Sequence, residues 1–183
     1  MARPKARASL SKDEIVDVAL GLIAEVGVDQ LSMRQLSDRL GASLGATNRH
    51  VPTKEALLAL CGRALYERSY RPRGPEDDPL DWVREQLVTL HELLISHPGM
   101  ATYVVNQPDL VTPELVAAVQ ESLIDAGLSE AEADAARLVL YFYSAGVLVT
   151  DSAALLSAAG LSDPGVMFTA GIDYILRAGA RVH

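Results

Sequence analysis

An all-α fold is predicted by three observations. Apolar residues recur at three- and four-residue spacing along most of the chain. Aromatics make up only 5% of a composition that is 49% apolar and dominated by Ala, Leu and Val. Proline and glycine fall between the periodic segments rather than inside strand-like alternation. At 183 residues the chain has room for one domain or two small ones, and for a sizeable core.

Helix starts and stops follow from local chemistry. Ser11-Lys12-Asp13-Glu14 reads as a capping box, opening a helix with Ile15, Val18, Ala19, Leu22, Ile23 and Val26 on one face and Gly27 as terminator. Ser32-Met33-Arg34-Gln35 is a second box, with Leu36 and Leu40 inward and Gly41 just past the end. Ser43 caps a third helix that runs to about Val51. Pro52 closes it and Thr53 caps the fourth, from Lys54 to about Tyr70. The Pro- and charge-rich stretch Arg71 to Pro79 reads as a linker. Asp78-Pro79 restarts a helix carrying Leu80, Val83, Leu87, Leu90 and Leu94, which His97-Pro98-Gly99 breaks. A short helix from Met100 to Gln107 ends before Pro108, and Thr112-Pro113 opens another that stops at Gly127. Ser129 to Glu132 forms a third box at the head of a long apolar segment reaching about Gly160. Asp163-Pro164 caps a last helix to about Ala178. The expectation is about nine helices, three of them short and bunched near the N-terminus.

Charge is divided by position. Met1 to Arg73 holds 12 Lys/Arg against 8 Asp/Glu, whereas Gly74 to His183 holds 4 against 16, together the net −8. That asymmetry suggests a nucleic-acid-facing head on an acidic body, which would also resist unoriented sticking to phosphate. The lone cysteine, Cys61, excludes an intramolecular disulfide and any multi-cysteine metal site; it reads as a small buried hydrophobe in a reducing compartment. The basic N-terminus has no apolar run behind it, so it is no secretory signal. The most membrane-like stretch is Leu138 to Ser162. Its longest uncharged run, Leu138 to Thr150, is short of the ~20 residues a span needs, so burial in a protein interface is expected. Asp151, inside that stretch, would have to hydrogen-bond or sit at the interface edge.

Gly41-Ala42-Ser43-Leu44-Gly45 matches G-x-S-x-G, the nucleophile elbow of serine hydrolases. An elbow needs a buried strand before the serine, and the preceding residues, "SMRQLSDRL", have helical periodicity. A helix-turn-helix asks instead for two short helices joined by a tight turn, which Met33 to Leu40, Gly41-Ala42 and Ser43 to Val51 provide. Arg49, His50 and Lys54 then supply phosphate donors, Asn48 can pair with a base edge, and Gly45 permits close approach. A helical interaction module without DNA binding is the third reading these residues leave open.

The run from Lys12 to Leu60 resembles the N-terminal DNA-binding domain of TetR-family transcriptional regulators: "AEVG", then "LSMRQLSDRLG", then a segment ending "RHVPTKEALL". The resemblance implies that Arg34 reaches a base or phosphate, that Leu44, Gly45, Ala46, Asn48 and Arg49 face DNA, that Ser43 caps the recognition helix near phosphate, and that His50, Thr53 and Lys54 anchor the backbone. Thr47 and Asn48 depart from the leucine and tyrosine usual in the family, so base reading would fall mainly to Arg34, Asn48 and Arg49. The arm from Arg3 to Arg7 is placed to enter a minor groove or cross phosphates.

"PLDWVREQLVTLHELLISHPGMATYVV" resembles the C-terminal domains of the same family. The implied organisation is a helix-turn-helix domain over residues 1–53, a connecting helix over 54–72, and a ligand-binding and dimerisation domain over 73–183. An effector pocket would lie among the fifth to eighth helices. Trp82, Gln86, His91, Tyr103, Asn106 and Tyr141 are the nominated walls, because aromatic surface with a few polar groups is what small-molecule sites need. The last two long helices would pair with their copies in a homodimer, where Ala145, Gly146, Ala153 and Ala154 allow close approach. The expected partners are a pseudo-palindromic double-stranded operator, read at half-sites roughly 34–36 Å apart, and a small-molecule effector that swings the fourth helix. A cytoplasmic regulator that is no enzyme, with no cofactor, no metal and no membrane, completes the expectation.

Overall fold

The computed structural model describes residues 10–150, 158, 160 and 163–180. The basic arm and Asp151, Ala153 and Ala154 lie outside the described residues. The described residues form nine α-helices and no strand: α1 (Lys12–Gln30), α2 (Met33–Arg39), α3 (Leu44–His50), α4 (Lys54–Ser69), α5 (Pro79–Ile95), α6 (Met100–Val105), α7 (Pro113–Asp125), α8 (Glu130–Val149) and α9 (Pro164–Ala180). A 3₁₀ turn, Pro108–Leu110, lies between α6 and α7.

The capping signals act where their chemistry predicts. Ser32 and Ser129 form complete capping boxes with Gln35 and Glu132, and Ser43, Thr53, Asp78 and Thr112 each accept a backbone N–H of the first turn. At Ser11 only half the box forms: its hydroxyl accepts from the Glu14 N–H without the reciprocal bond. Two boundaries differ from expectation. The α1 segment continues past Gly27 to Gln30, but Gly27 itself stands at φ 78°, ψ 166°, so the last turn is set off by a kink. α8 stops at Val149 instead of running to Gly160, because Thr150 turns extended and its hydroxyl donates back to the Gly146 carbonyl at 2.6 Å.

One continuous apolar core runs through the molecule. Ile15, Ala19 and Ile23 of α1 meet Leu36 of α2, Val51 and Leu57, while Leu65, Trp82, Val83, Leu94, Met100 and Leu140 carry the core into the other helices. The head made by α1–α3 joins the rest through the packing of α1 along α4, where Arg68 pairs with Asp17, and through contacts of the last turn of α1. The Val28 N–H donates to the Pro98 carbonyl at 2.9 Å, and Gly99 (φ 89°) packs so closely on Val28 that a Cβ there would stand 2.8 Å from the valine's own. The Lys54 ammonium donates to the Asp29 carbonyl at 3.3 Å.

The Arg71 to Pro79 segment is fastened rather than loose. Trp82 Nε1 donates to the Arg71 carbonyl at 2.9 Å, the Arg71 N–H donates to Gln86 Oε1 at 2.8 Å, and the Arg71 guanidinium pairs with Asp77 and Glu85. That guanidinium and the Gly74 N–H hold the Asp77 carboxyl below the usual carboxylate range.

Three rings tie α5, α8 and α9 together. His91 and Tyr143 both lie near-parallel to Phe168, at centroid distances of 3.9 and 5.8 Å, and the Tyr143 hydroxyl donates to the carbonyls of Met167 and Phe168 above Gly171. His91 is 6% exposed, its Nδ1 has no hydrogen-bond partner, and burial depresses its pKa against a smaller opposing pull from Glu92. The unfolded chain therefore takes up this proton near pH 6.5 and the folded chain only below that. Stability contributed by the neutral ring is fully present above about pH 6.5 and is lost as pH falls through the interval beneath it. Wild-type Tm is expected to fall more between pH 7.5 and 5.5 than that of His91→Leu, and parallel profiles would refute this.

Candidate nucleic-acid interface and ligand cavity

α2 and α3 are joined by a turn in which Gly41 adopts φ 60° and the Ala42 N–H returns to the Ser37 carbonyl at 2.9 Å. Helical periodicity then sorts α3 into two faces. Thr47 is fully buried, while Leu44, Gly45, Asn48, Arg49 and His50 are exposed and Ala46 is half-buried. Arg34, at the start of α2, is exposed as well. Thr53 and Ser43 spend their side-chain oxygens on the caps of α4 and α3, and Lys54 is partly engaged with Asp29.

Thr47 needs a polar partner inside the head, and Ser37 is that partner. The Ser37 hydroxyl lies 2.9 Å from Thr47 Oγ1 and 2.8 Å from the Met33 carbonyl, and Thr47 Oγ1 reaches the Ser43 carbonyl at 3.4 Å. The contact between the two helices thus includes a buried hydroxyl pair where an aliphatic side chain would otherwise pack. Removing one hydroxyl leaves the other only a carbonyl of its own helix segment. Ser37→Ala is expected to destabilise the chain by ~0.5–1.5 kcal/mol in denaturant unfolding, and Ser37→Ala with Thr47→Val to recover most of that loss. Additive effects of the two substitutions would refute the coupling.

Six of the described arginines pair within the protein, whereas Arg34, Arg49, Arg63 and Arg177 do not. Arg39 makes a two-pronged bond to Glu25, Arg68 pairs with Asp17, Arg73 with Asp125 and Ser122, and Arg84 with Asp173. Among the described residues, Arg34, Asn48, Arg49 and His50 have no hydrogen-bond or ion-pair partner. Asn48, Arg49 and His50 carry uncommitted donors on the exposed side of α3, and Arg34 carries its own at the start of α2.

Ser43 is not at an elbow. It sits between two helices, no strand precedes it among the described residues, and its hydroxyl accepts from the Ala46 N–H. His97 is occupied at the end of α5, with Nδ1 2.6 Å from the Leu93 carbonyl.

A cavity of about 350 Å³ opens among α4, α5, α6, α7 and α8. Leu87, Leu90 and Leu94 face it from α5, Val104 and Val105 from α6, and Leu115, Val116 and Val119 from α7. Its polar lining is Tyr66, Arg137, Tyr141 and Ser144. Burial, with a smaller contribution from Tyr141, pushes the Tyr66 phenol up to about 12, and Ser144 Oγ is buried without a partner. Of the six nominated wall residues only Tyr141 lines this space. Trp82 and Gln86 hold the Arg71 segment, His91 stacks on α9, the Tyr103 hydroxyl reaches the Glu55 carbonyl at 3.4 Å, and Asn106 caps α6, bonding the Thr102 carbonyl at 2.8 Å. Val104 faces both the cavity and α4: a Cβ on Gly62 would stand 3.1 Å from it and 2.8 Å from Leu110.

On the outside of α8 and α9 lies an uncovered apolar stripe. Leu138, Val139, Phe142, Val166 and Tyr174 are all more than half exposed, Phe142 at 63% and Tyr174 at 77%. No described helix is long and apolar enough to cross a membrane. Among the described residues no group of three or more His, Cys, Asp or Glu is placed to hold a metal ion.

Residues 15–61 match the family model of bacterial regulatory proteins of the tetR family. An HTH-type transcriptional regulator of Saccharopolyspora erythraea is 33% identical over 150 residues, covering 78% of this chain; the chain spans 61% of that relative's length. A TetR transcriptional regulator of Streptomyces coelicolor superposes with a TM-score of 0.75 at 25% identity, covering 95% of this chain and 99% of its own. BioQ of Mycobacterium smegmatis, solved also with its double-stranded DNA operator, superposes in that form with a TM-score of 0.71 at 23% identity over 95% of this chain and 99% of its own. The helix-turn-helix segment, residues 15–61, is thus matched by the model of the tetR family of bacterial regulatory proteins, and the order of the helices is shared over nearly the whole chain with a solved TetR regulator.

Proposed function

We propose that this protein is a DNA-binding transcriptional regulator, a repressor released from its operator by a small molecule, and not an enzyme. The observation that carries the proposal is the cluster of uncommitted donors on the outer face of α3 and beside it: Arg34, Asn48 and Arg49, with His50 flanking, in a chain whose other arginines largely pair with its own carboxylates. Residues 1–53 act as the DNA-binding unit, 54–72 as the connecting helix and 73–183 as the ligand-binding and dimerisation unit. Ser43, Thr53 and Lys54 hold the ends of α3 and α4 in place beside the phosphate backbone; Leu44 brings an apolar surface to the groove, and Gly45 and Ala46 let the helix approach closely. A relative of the same fold, BioQ, has been solved on double-stranded operator DNA.

The apolar stripe of α8 and α9 is what a second copy would cover, giving a two-fold dimer and a pseudo-palindromic site. The protein then works in the cytoplasm, where the DNA is. The effector occupies the cavity beside α6 and acts by preferring the conformer whose two recognition helices are wrongly spaced. Purified full-length protein offered random duplexes at moderate salt is expected to enrich one inverted repeat, with affinity falling steeply as salt rises. Recovery without sequence preference would end the proposal.

A further inference from the structure

The chemistry of the cavity narrows its ligand, on the reading that a small molecule occupies it. α5, α6 and α7 present only Leu and Val to the space. The polar groups stand on one side: Arg137, Tyr141 and Ser144 share a face of α8 at intervals of four and three residues, and Tyr66 lies near Tyr141.

Arg137 is the one charged residue lining the cavity, and no carboxylate lines it. It is one of 4 basic residues against 16 acidic ones from Gly74 onward, so a positive lining is the reverse of what this body's composition would supply at random. Its Nε donates to the neutral Gln120 Oε1 at 3.3 Å, which orients the guanidinium. Its ion pair with Asp134 is long, 3.4 Å, and Asp134 is 64% exposed, so that pair holds weakly. Ser144 Oγ is buried without a partner, and the raised pKa keeps Tyr66 a hydroxyl donor. A cation entering here would meet like charge and no carboxylate. An anion would meet a guanidinium that is 38% exposed, at the rim, and hydroxyl donors beside an apolar wall, an arrangement that lets the charge keep water while the hydrocarbon is buried.

We infer that the effector is an apolar monoanion, an aliphatic carboxylate whose head group lies against Arg137 and whose hydrocarbon fills the Leu/Val side. At the packing density of a protein interior, ~0.74, a space of about 350 Å³ has room for a chain of up to roughly fourteen carbons.

The test uses full-length protein and isothermal titration with three probes of one chain length, decanoate and decyltrimethylammonium below their micelle concentrations and decan-1-ol below its solubility limit. Decanoate is expected to bind at least about tenfold more tightly than decan-1-ol, and the cation to show no saturable binding. Arg137→Gln, which keeps an amide donor, should cost decanoate about tenfold or more while leaving decan-1-ol within about threefold. The inference is overturned if the alcohol or the cation matches decanoate, or if Arg137→Gln leaves decanoate affinity unchanged. Either result keeps an effector cavity and removes only the charge assignment. A protein that takes none of the three probes overturns the inference as well. DNA binding by free protein is read in a separate assay, so its failure is distinguishable from all of these.

Discussion

Arg49→Ala is expected to weaken operator binding by roughly thirtyfold to twenty-five-thousandfold without lowering Tm. The size follows from symmetry. A base or phosphate contact of this kind is worth ~1–3 kcal/mol, and a two-fold complex loses it twice per site, ~2–6 kcal/mol in all. The fold is spared because Arg49 is exposed and has no partner among the described residues. The comparison that gives the result meaning is Arg39→Ala. That side chain lies in the same head but is held by Glu25, whose carboxyl it keeps below the usual range. Its loss should change operator affinity far less. Fluorescence anisotropy on a labelled operator, read across a salt series, checks both; equal effects of the two substitutions would remove Arg49 from the interface.

Gly171→Ala is expected to destabilise the protein by ~1–3 kcal/mol, lowering Tm by about 2–12 °C in a chain of this size. A Cβ at this position would stand 2.9 Å from Tyr143 Cε1 and closer still to Cζ and Oη. The ring cannot step aside cheaply. Its hydroxyl is tied to the Met167 and Phe168 carbonyls at 3.0 and 3.3 Å, and its face lies along Phe168. Tyr143→Ala removes the obstacle, so the double variant should be less destabilised than the sum of the two singles. Strict additivity in calorimetry would show that the clash is absorbed elsewhere.

The parts of this molecule that were legible in the sequence are those set by few residues close together. A helix start requires an oxygen at one position and a free N–H two or three further on, so Ser32, Ser43, Thr53, Asp78, Thr112 and Ser129 announced their helices. The exposure of Asn48 and Arg49 was legible too, because the helical period of α3 that turns Thr47 and Val51 inward leaves no other direction for them. Thr47 stood out as unusual, yet its partner did not. Ser37 is ten residues away on another helix, and nothing local marks it as the hydroxyl that Thr47 meets.

The cavity was the least legible feature. Leu87, Leu90 and Leu94 have the spacing of core residues, and a leucine facing another leucine looks the same in sequence as one facing empty space. The difference lies in how far apart five helices stand. Aromatics were a poor guide for a related reason: Trp82 carries an N–H that must be satisfied once buried, and the Arg71 carbonyl in the adjoining segment claims it. Tyr66, Arg137 and Ser144 came from helices read for other purposes, and only their convergence in space marks them.

The bond from the Val28 N–H to the Pro98 carbonyl, with Gly99 pressed on Val28, has a mechanical meaning. The chain itself ties the head to the body at Val51 to Thr53, α1 is held along α4 by the Asp17–Arg68 pair and the shared core, and this contact adds a further fastening. A rigid piece held at three separated places has no free rotation left. Motion of α6, whose first turn begins at Gly99, would therefore carry the head along as one body with α4, and α3 would move without a hinge of its own.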